Sequence, residues 1–211
     1  MKKTFLIIFF ICLNNFLFFN LEAKINNVIV AKVGKLLVTS LDIRDEILTY
    51  LIINNQEISQ ENINKSKNFA LKNLINKAIK TNEINKFQIT NYSQNDLRKY
   101  IEKVSNNLNV STSELKNIFK INNISYEEFV EKHITELKWN TLIFSLYKNQ
   151  ININIIEVDN EIKQVKEDQD PKELKKIKEN ILNRKKEEKL NLFSRSHFSN
   201  LENSINIKFN E

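Results

Sequence analysis

Glycine and proline are almost absent from this chain: Gly34 and Pro171 are the only ones in 211 residues. A protein of many strands needs many tight turns, and turns draw on those two residue types. Helices are therefore expected to dominate. The same scarcity removes the glycine-rich phosphate loop and the dinucleotide fingerprint. It also removes the glycine-rich turn that usually presents a serine nucleophile.

Cysteine is equally scarce. Cys12 is the single one, and it falls inside an N-terminal apolar run. Once that run is removed, neither disulfides nor thiolate metal sites are available, so packing alone must hold the fold. The two histidines, His133 and His197, fall on or beside apolar helical stripes far apart in sequence, which suits structural roles better than ligand roles. The carboxylates are spread over helix starts and solvated faces rather than clustered as metal ligands. No catalytic, cofactor-binding or metal-binding residue is assigned.

The first residues read as an export leader. Lys2 and Lys3 give a positive start, Phe5 to Phe19 an apolar stretch, and Leu21-Glu22-Ala23 an end that a signal peptidase could cut. An uncleaved anchor is the alternative, but the run is short for a span and Asn14 and Asn15 interrupt it. Lipidation at Cys12 is disfavoured by Phe10 and Ile11 before it, where a lipoprotein leader has small residues. Residues 24–211 would then form the exported protein, with no later membrane span and a net charge of about +5 after loss of the leader. Both signs are interspersed, which points to solvation and not to nucleic acid.

Five helix starts carry one device, a Ser, Thr or Asp followed three residues later by an acid: Thr39/Asp42, Ser93/Asp96, Ser111/Glu114, Ser125/Glu128 and Asp170/Glu173. Each pair can satisfy amide donors left open at a helix N-terminus. Apolar stripes of helical period follow: Ile43, Ile47, Leu48 and Leu51; then Leu71, Leu74, Ile75, Ala78 and Ile79; then Leu97, Tyr100, Ile101, Val104 and Leu108. A short fourth helix carries Leu115, Ile118 and Phe119. A long fifth, Tyr126 to Tyr147, is expected to face Val130, Ile134, Leu137, Thr141 and Phe144 inward. Asn54-Asn55 and Asn122-Asn123 are expected breaks, since Asn tolerates a left-handed C-cap.

Strand signals are confined to the ends and one middle segment. Val28 to Val33 and Leu36 to Val38 flank Gly34-Lys35, a plausible tight hairpin. Ile151, Ile153 and Ile155 alternate with asparagines, the pattern of a half-buried strand, before a short helix near Glu161. Ile205 and Ile207 suggest a closing strand able to pair with the hairpin. The last helix begins at Pro171, a tolerated first-turn proline, and its charged interval from Arg184 to Lys189 reads as a solvated stretch or bend, or as a surface for a partner.

Apolar and aromatic surface is what remains for function. Phe119, Tyr126, Phe129, Trp139, Phe144 and Tyr147 could line a groove for unfolded peptide, though most suit the core. The peptide-binding residues themselves are not identifiable from sequence.

The order of these elements resembles the SurA type of periplasmic chaperone. VIVAKVGKLLVTSLD, Val28 to Asp42, is similar to that family's opening hairpin running into a Thr-capped helix. ALKNLINKAIK, Ala70 to Lys80, resembles its second helix. VSTSELKNIFKINNISYEEFVEKHITEL, Val110 to Leu137, follows its short helix, turn and long helix, with Asn123 where the family usually has Gly. ILNRKKEEKLNLFSRSHFSNLENSINIKF, Ile181 to Phe209, looks like its C-terminal helix and last strand.

The resemblance implies a mainly α, trigger-factor-like peptide-binding body with a small sheet made from the N-terminal hairpin and C-terminal strand. It divides the chain into a leader (1–23), a helical domain (24–163), a connector (164–170) and a C-terminal helix and strand (171–211). Relatives carry one or two parvulin modules where the connector stands. Those modules are glycine-rich, so no prolyl isomerase activity is expected. The implied function is ATP-independent holding of unfolded outer-membrane proteins or peptides, without a cofactor. The alternatives are residual peptidyl-prolyl isomerase activity and an envelope adaptor that binds one folded partner.

Overall fold

A computed structural model describes residues 27–163 and 170–210. The leader expected over 1–23 lies outside the described residues, as does the 164–170 connector apart from Asp170. The chain is mainly helical with one small antiparallel sheet, as its scarcity of turn formers requires.

Strand β1 (Ile29–Val33) and strand β2 (Leu36–Thr39) form the hairpin, with Val33 opposite Leu36 across the two-residue loop Gly34-Lys35. Gly34 has φ +59°, a conformation that costs glycine nothing and other residues a good deal. Strand β3 (Ile207–Phe209) pairs antiparallel with β1, giving the order β2-β1-β3. The two ends of the described chain thus close one sheet.

Helix α1 (Ser40–Ile53) starts at a full capping box, in which Thr39 and Asp42 satisfy each other's backbone amides. Helix α2 (Gln60–Lys86) begins eleven residues before the Leu71 stripe expected to mark it, capped by Ser59. Helices α3 (Gln94–Asn107), α4 (Thr112–Ile121) and α5 (Tyr126–Tyr147) start at Ser93, Ser111 and Ser125, all three caps being the expected ones. Asn55 and Asn123 take positive φ, as expected, and Gln88 and Asn109 do the same at two further helix ends.

Two expectations are corrected and a third is narrowed. The Ile151-Ile153-Ile155 alternation is not a strand. A 3-10 turn (Lys148–Gln150) leads into helix α6 (Ile155–Lys163), with Asn154 Oδ1 accepting from the Ile156 amide at 3.0 Å. The asparagine acts as a helix cap, and no described strand lies beside it to pair. In α5 the fully buried side is Phe129, Ile134, Thr135, Trp139, Leu142 and Ile143, whereas Phe144 is exposed. That helix is covered by several neighbours, so one narrow stripe cannot describe it. Finally, the 184–189 interval is mostly exposed, as expected of a solvated stretch, but it holds no bend: helix α7 (Pro171–Ser204) runs unbroken through it. Arg184 pairs there with Glu161, and Lys185 bridges Glu157 and Glu161 of α6 at 3.3 and 2.7 Å.

The interior comprises linked clusters. Ile52, Val104, Leu115, Phe119, Ile124 and Phe129 knit α1, α3, α4 and α5 together. Ala31, Val33 and Val38 of the sheet pack on Ala78 and Ile79 of α2, with Phe198 and Leu201 of α7 over them. Ile84, Trp139, Leu142 and Ile143 join α2 and α5 beneath the same end of α7. Each large side chain removed from water contributes about 1.5–3 kcal/mol, so this closure of C-terminal on N-terminal elements is hydrophobic in origin.

Candidate functional site

The histidines occupy separate aromatic environments. His133 of α5 stacks on Tyr100 of α3, ring centroids 3.5 Å apart. Burial pushes its pKa down, opposed by the carboxylates of Glu136 and Asp96. His197 of α7 has its Nδ1 2.9 Å from the Tyr147 hydroxyl and its Nε2 3.5 Å from the buried Glu83 carboxylate. The two rings do not form a shared site, and among the described residues no group of three or more His, Cys, Asp or Glu could hold a metal ion.

Most of the aromatic candidates are core. Phe119, Phe129 and Trp139 are buried, Tyr126 packs against the first two, and Tyr147 stacks on Phe193 of α7. Of the six, Phe144 alone is among the exposed large hydrophobics, at 52%. Sequence reasoning missed Phe69 and Phe87, both exposed on α2 or at its end. Phe69 falls off the Leu71-Leu74-Ile75 stripe and tilts against Tyr50, ring centroids 4.8 Å apart. An aromatic off the buried stripe of an amphipathic helix was the available signal.

Helix α1 separates two concave surfaces. Its Ile43, Ile47 and Leu48 face Ile63 and Leu71 of α2, forming an open groove of about 420 Å³ whose floor is aliphatic and whose edges carry Arg44, Lys67 and Asn68. Arg44 is engaged with Asp45 and with the carbonyl of Asn123, while Lys67 stands exposed. This groove offers apolar contact along its floor.

On the other side of α1 lies a polar cleft of about 300 Å³, bounded by β2, α1, α2 and the start of α5. Its floor holds Glu46, whose carboxylate takes Lys132 Nζ at 2.5 Å and Asn73 Nδ2 at 2.9 Å. Glu46 is only 6% exposed, so these partners offset the cost of burying its charge. Among the described residues no helix is long and apolar enough to cross a membrane.

No family model matches this chain, and no curated protein matches it. Among solved structures it is similar to one from a study of Campylobacter jejuni that describes the virulence factor PEB4 and the periplasmic protein Cj1289 as two structurally related SurA-like chaperones. The identity is 18%, the match covers 88% of this chain and 100% of that one, and the TM-score is 0.42.

Proposed function

We propose that this chain is an ATP-independent periplasmic chaperone of the SurA type, a holdase that masks unfolded segments of outer-membrane proteins. In this reading residues 1–23 are a cleaved leader, and the short 164–170 link replaces the parvulin modules, leaving a binder without isomerase chemistry. The reading draws support from the sequence resemblance, whose four segments map onto the hairpin with α1, the middle of α2, the α4–α5 unit, and α7 with β3.

The observation that carries it is the aliphatic groove between α1 and α2. Unfolded segments are recognised through apolar contacts and main-chain bonding, and an open groove can receive them without a fixed sequence. Masking strand-forming segments keeps them from pairing edge to edge before they reach the membrane.

The test is light scattering from a chemically unfolded barrel protein diluted with and without the purified leaderless chain, residues 24–211. Scattering should fall with the chain present, and Ile63→Lys, which places a charge in the groove, should weaken that effect. A proline-limited refolding reaction should run at its uncatalysed rate. Unchanged scattering at several-fold molar excess would sink the proposal.

A further inference from the structure

We infer that the outer edge of β2 is a docking strand for an extended, lysine-bearing client segment, which adds to the sheet inside the polar cleft. This assignment rests on the holdase reading and names both the mode and the charge of what is held.

The geometry of the hairpin aims main-chain groups outward. Val33 and Leu36 close a two-residue loop, and the closing pair of such a loop is the doubly hydrogen-bonded one. The next pair, Lys32 and Leu37, is therefore the open pair, with the Leu37 N–H and C=O directed away from β1. The other side of β1 agrees: Gly34 N donates to Asn206 O at 3.1 Å and Asn210 N to Val30 O at 3.0 Å, so the alternate residues of β1 serve β3. β2 is thus an edge, and no described strand pairs with its outer side. Leu37 is 52% exposed.

That edge borders the cleft. Leu36, Leu37 and Val38 all line it in succession, opposite the walls supplied by α1, α2 and α5. Asp42, Asp45, Glu46, Glu128 and Glu131 line it with Lys77 and Lys132; Lys132 is committed to Glu46, and Asp45 and Glu131 pair with Arg44 and Lys138, which leaves the acids Asp42 and Glu128 beside Lys77. A cleft lined mostly by one sign attracts the opposite one. An added strand places alternate side chains on opposite faces, so a segment with a basic residue at every second position can direct those groups along the acidic walls while its backbone meets Leu37.

The experiment uses the leaderless chain, residues 24–211, and fluorescence polarisation of synthetic ten-residue peptides that alternate valine with lysine. A glutamate twin and a version with alternate backbone N-methyl groups are run beside it. Leu37→Pro removes the outward N–H without touching the ladder, because proline is tolerated at an edge. It should weaken the lysine peptide by up to about tenfold, the upper end for one lost main-chain bond, while Leu37→Ala should stay within about threefold because it retains the N–H. The glutamate twin and the N-methylated peptide should bind markedly more weakly, and added salt should loosen the lysine peptide.

Equal affinity for the N-methylated peptide or for the glutamate twin overturns the assignment, and both readouts stand even where Leu37→Pro perturbs folding. A change of mass in Leu37→Pro by light scattering, with peptide affinity unchanged, would give the edge to a second copy of the chain and also overturn it. Failure here is distinguishable from failure of the holdase reading. A wild-type chain that suppresses barrel-protein aggregation, matched by Leu37→Pro but not by Ile63→Lys, retains the groove and discards the edge.

Discussion

The indole N–H of Trp139 donates to the Ser194 hydroxyl across 2.8 Å, tying the buried centre of α5 to the underside of α7. His197 and Phe198 pack against the same indole from the next turn of α7. The chain has no other tryptophan, so its fluorescence reports whether the C-terminal helix is docked.

Trp139→Phe keeps much of the apolar volume and loses the bond, and should destabilise the protein by about 1 kcal/mol. Trp139→Ala opens a cavity as well and should cost about 3–5 kcal/mol. Urea unfolding followed by far-UV circular dichroism measures both. Equal losses would mean that the hydrogen bond, and not the packing, holds α7.

Gly34→Ala tests the hairpin. At φ +59° an added Cβ meets Asn82 Nδ2 at 3.2 Å, and that same amide donates to the Val33 carbonyl at 3.1 Å. A left-handed alanine costs about 1–2 kcal/mol on backbone grounds alone, and displacing Asn82 adds to it. The expected result is a lower urea midpoint with the far-UV helical signal retained.

Much of this architecture is legible in the sequence because it is written in short-range chemistry. Thr39, Ser93, Ser111 and Ser125 announce helix starts through bonds that span three residues, and the Ile205-Ile207 alternation anticipates a strand that does pair with the hairpin. Ser59 escaped because Asn62, not an acid, stands three residues on. The candidate surfaces were not legible, for a different reason. Ile47 is buried and Leu48 half-exposed although they adjoin on one apolar stripe, and only the placement of α2 decides which is which. That β2 is left as an edge likewise depends on β3 joining beside β1, and β3 comes from the far end of the chain.

His133 should make stability depend on pH. Burial holds its folded pKa below the unfolded value of about 6.5. Between those two values the unfolded chain binds more protons, so stability rises with pH there and is lost as pH falls from about 7 through the folded pKa. His133→Phe keeps a ring against Tyr100 and removes the titration. Urea midpoints between about pH 5 and pH 8 should slope less in this variant than in the wild type, and parallel slopes would assign the dependence to other groups.

The Glu46–Lys132 pair joins residues of α1 and α5, with the carboxylate side chain 5% exposed and the ammonium side chain 34%. Removing the cation alone leaves a buried carboxylate with Asn73 as its remaining side-chain partner. Lys132→Met should therefore cost about 3 kcal/mol, the low end for a broken buried pair because water still reaches the lysine side. Glu46→Gln combined with Lys132→Met removes both charges and leaves an amide oxygen for Asn73 to donate to, so it should recover most of that loss. The double variant also leaves the net charge of the cleft wall unchanged, since one charge of each sign is removed. Affinity for the lysine peptide should accordingly survive in it, whereas Asp45→Asn with Glu128→Gln, which removes two negative charges from the rim, should weaken that peptide and flatten its salt dependence. Measured together, the two double variants separate the charge that holds the fold from the charge that recruits the client.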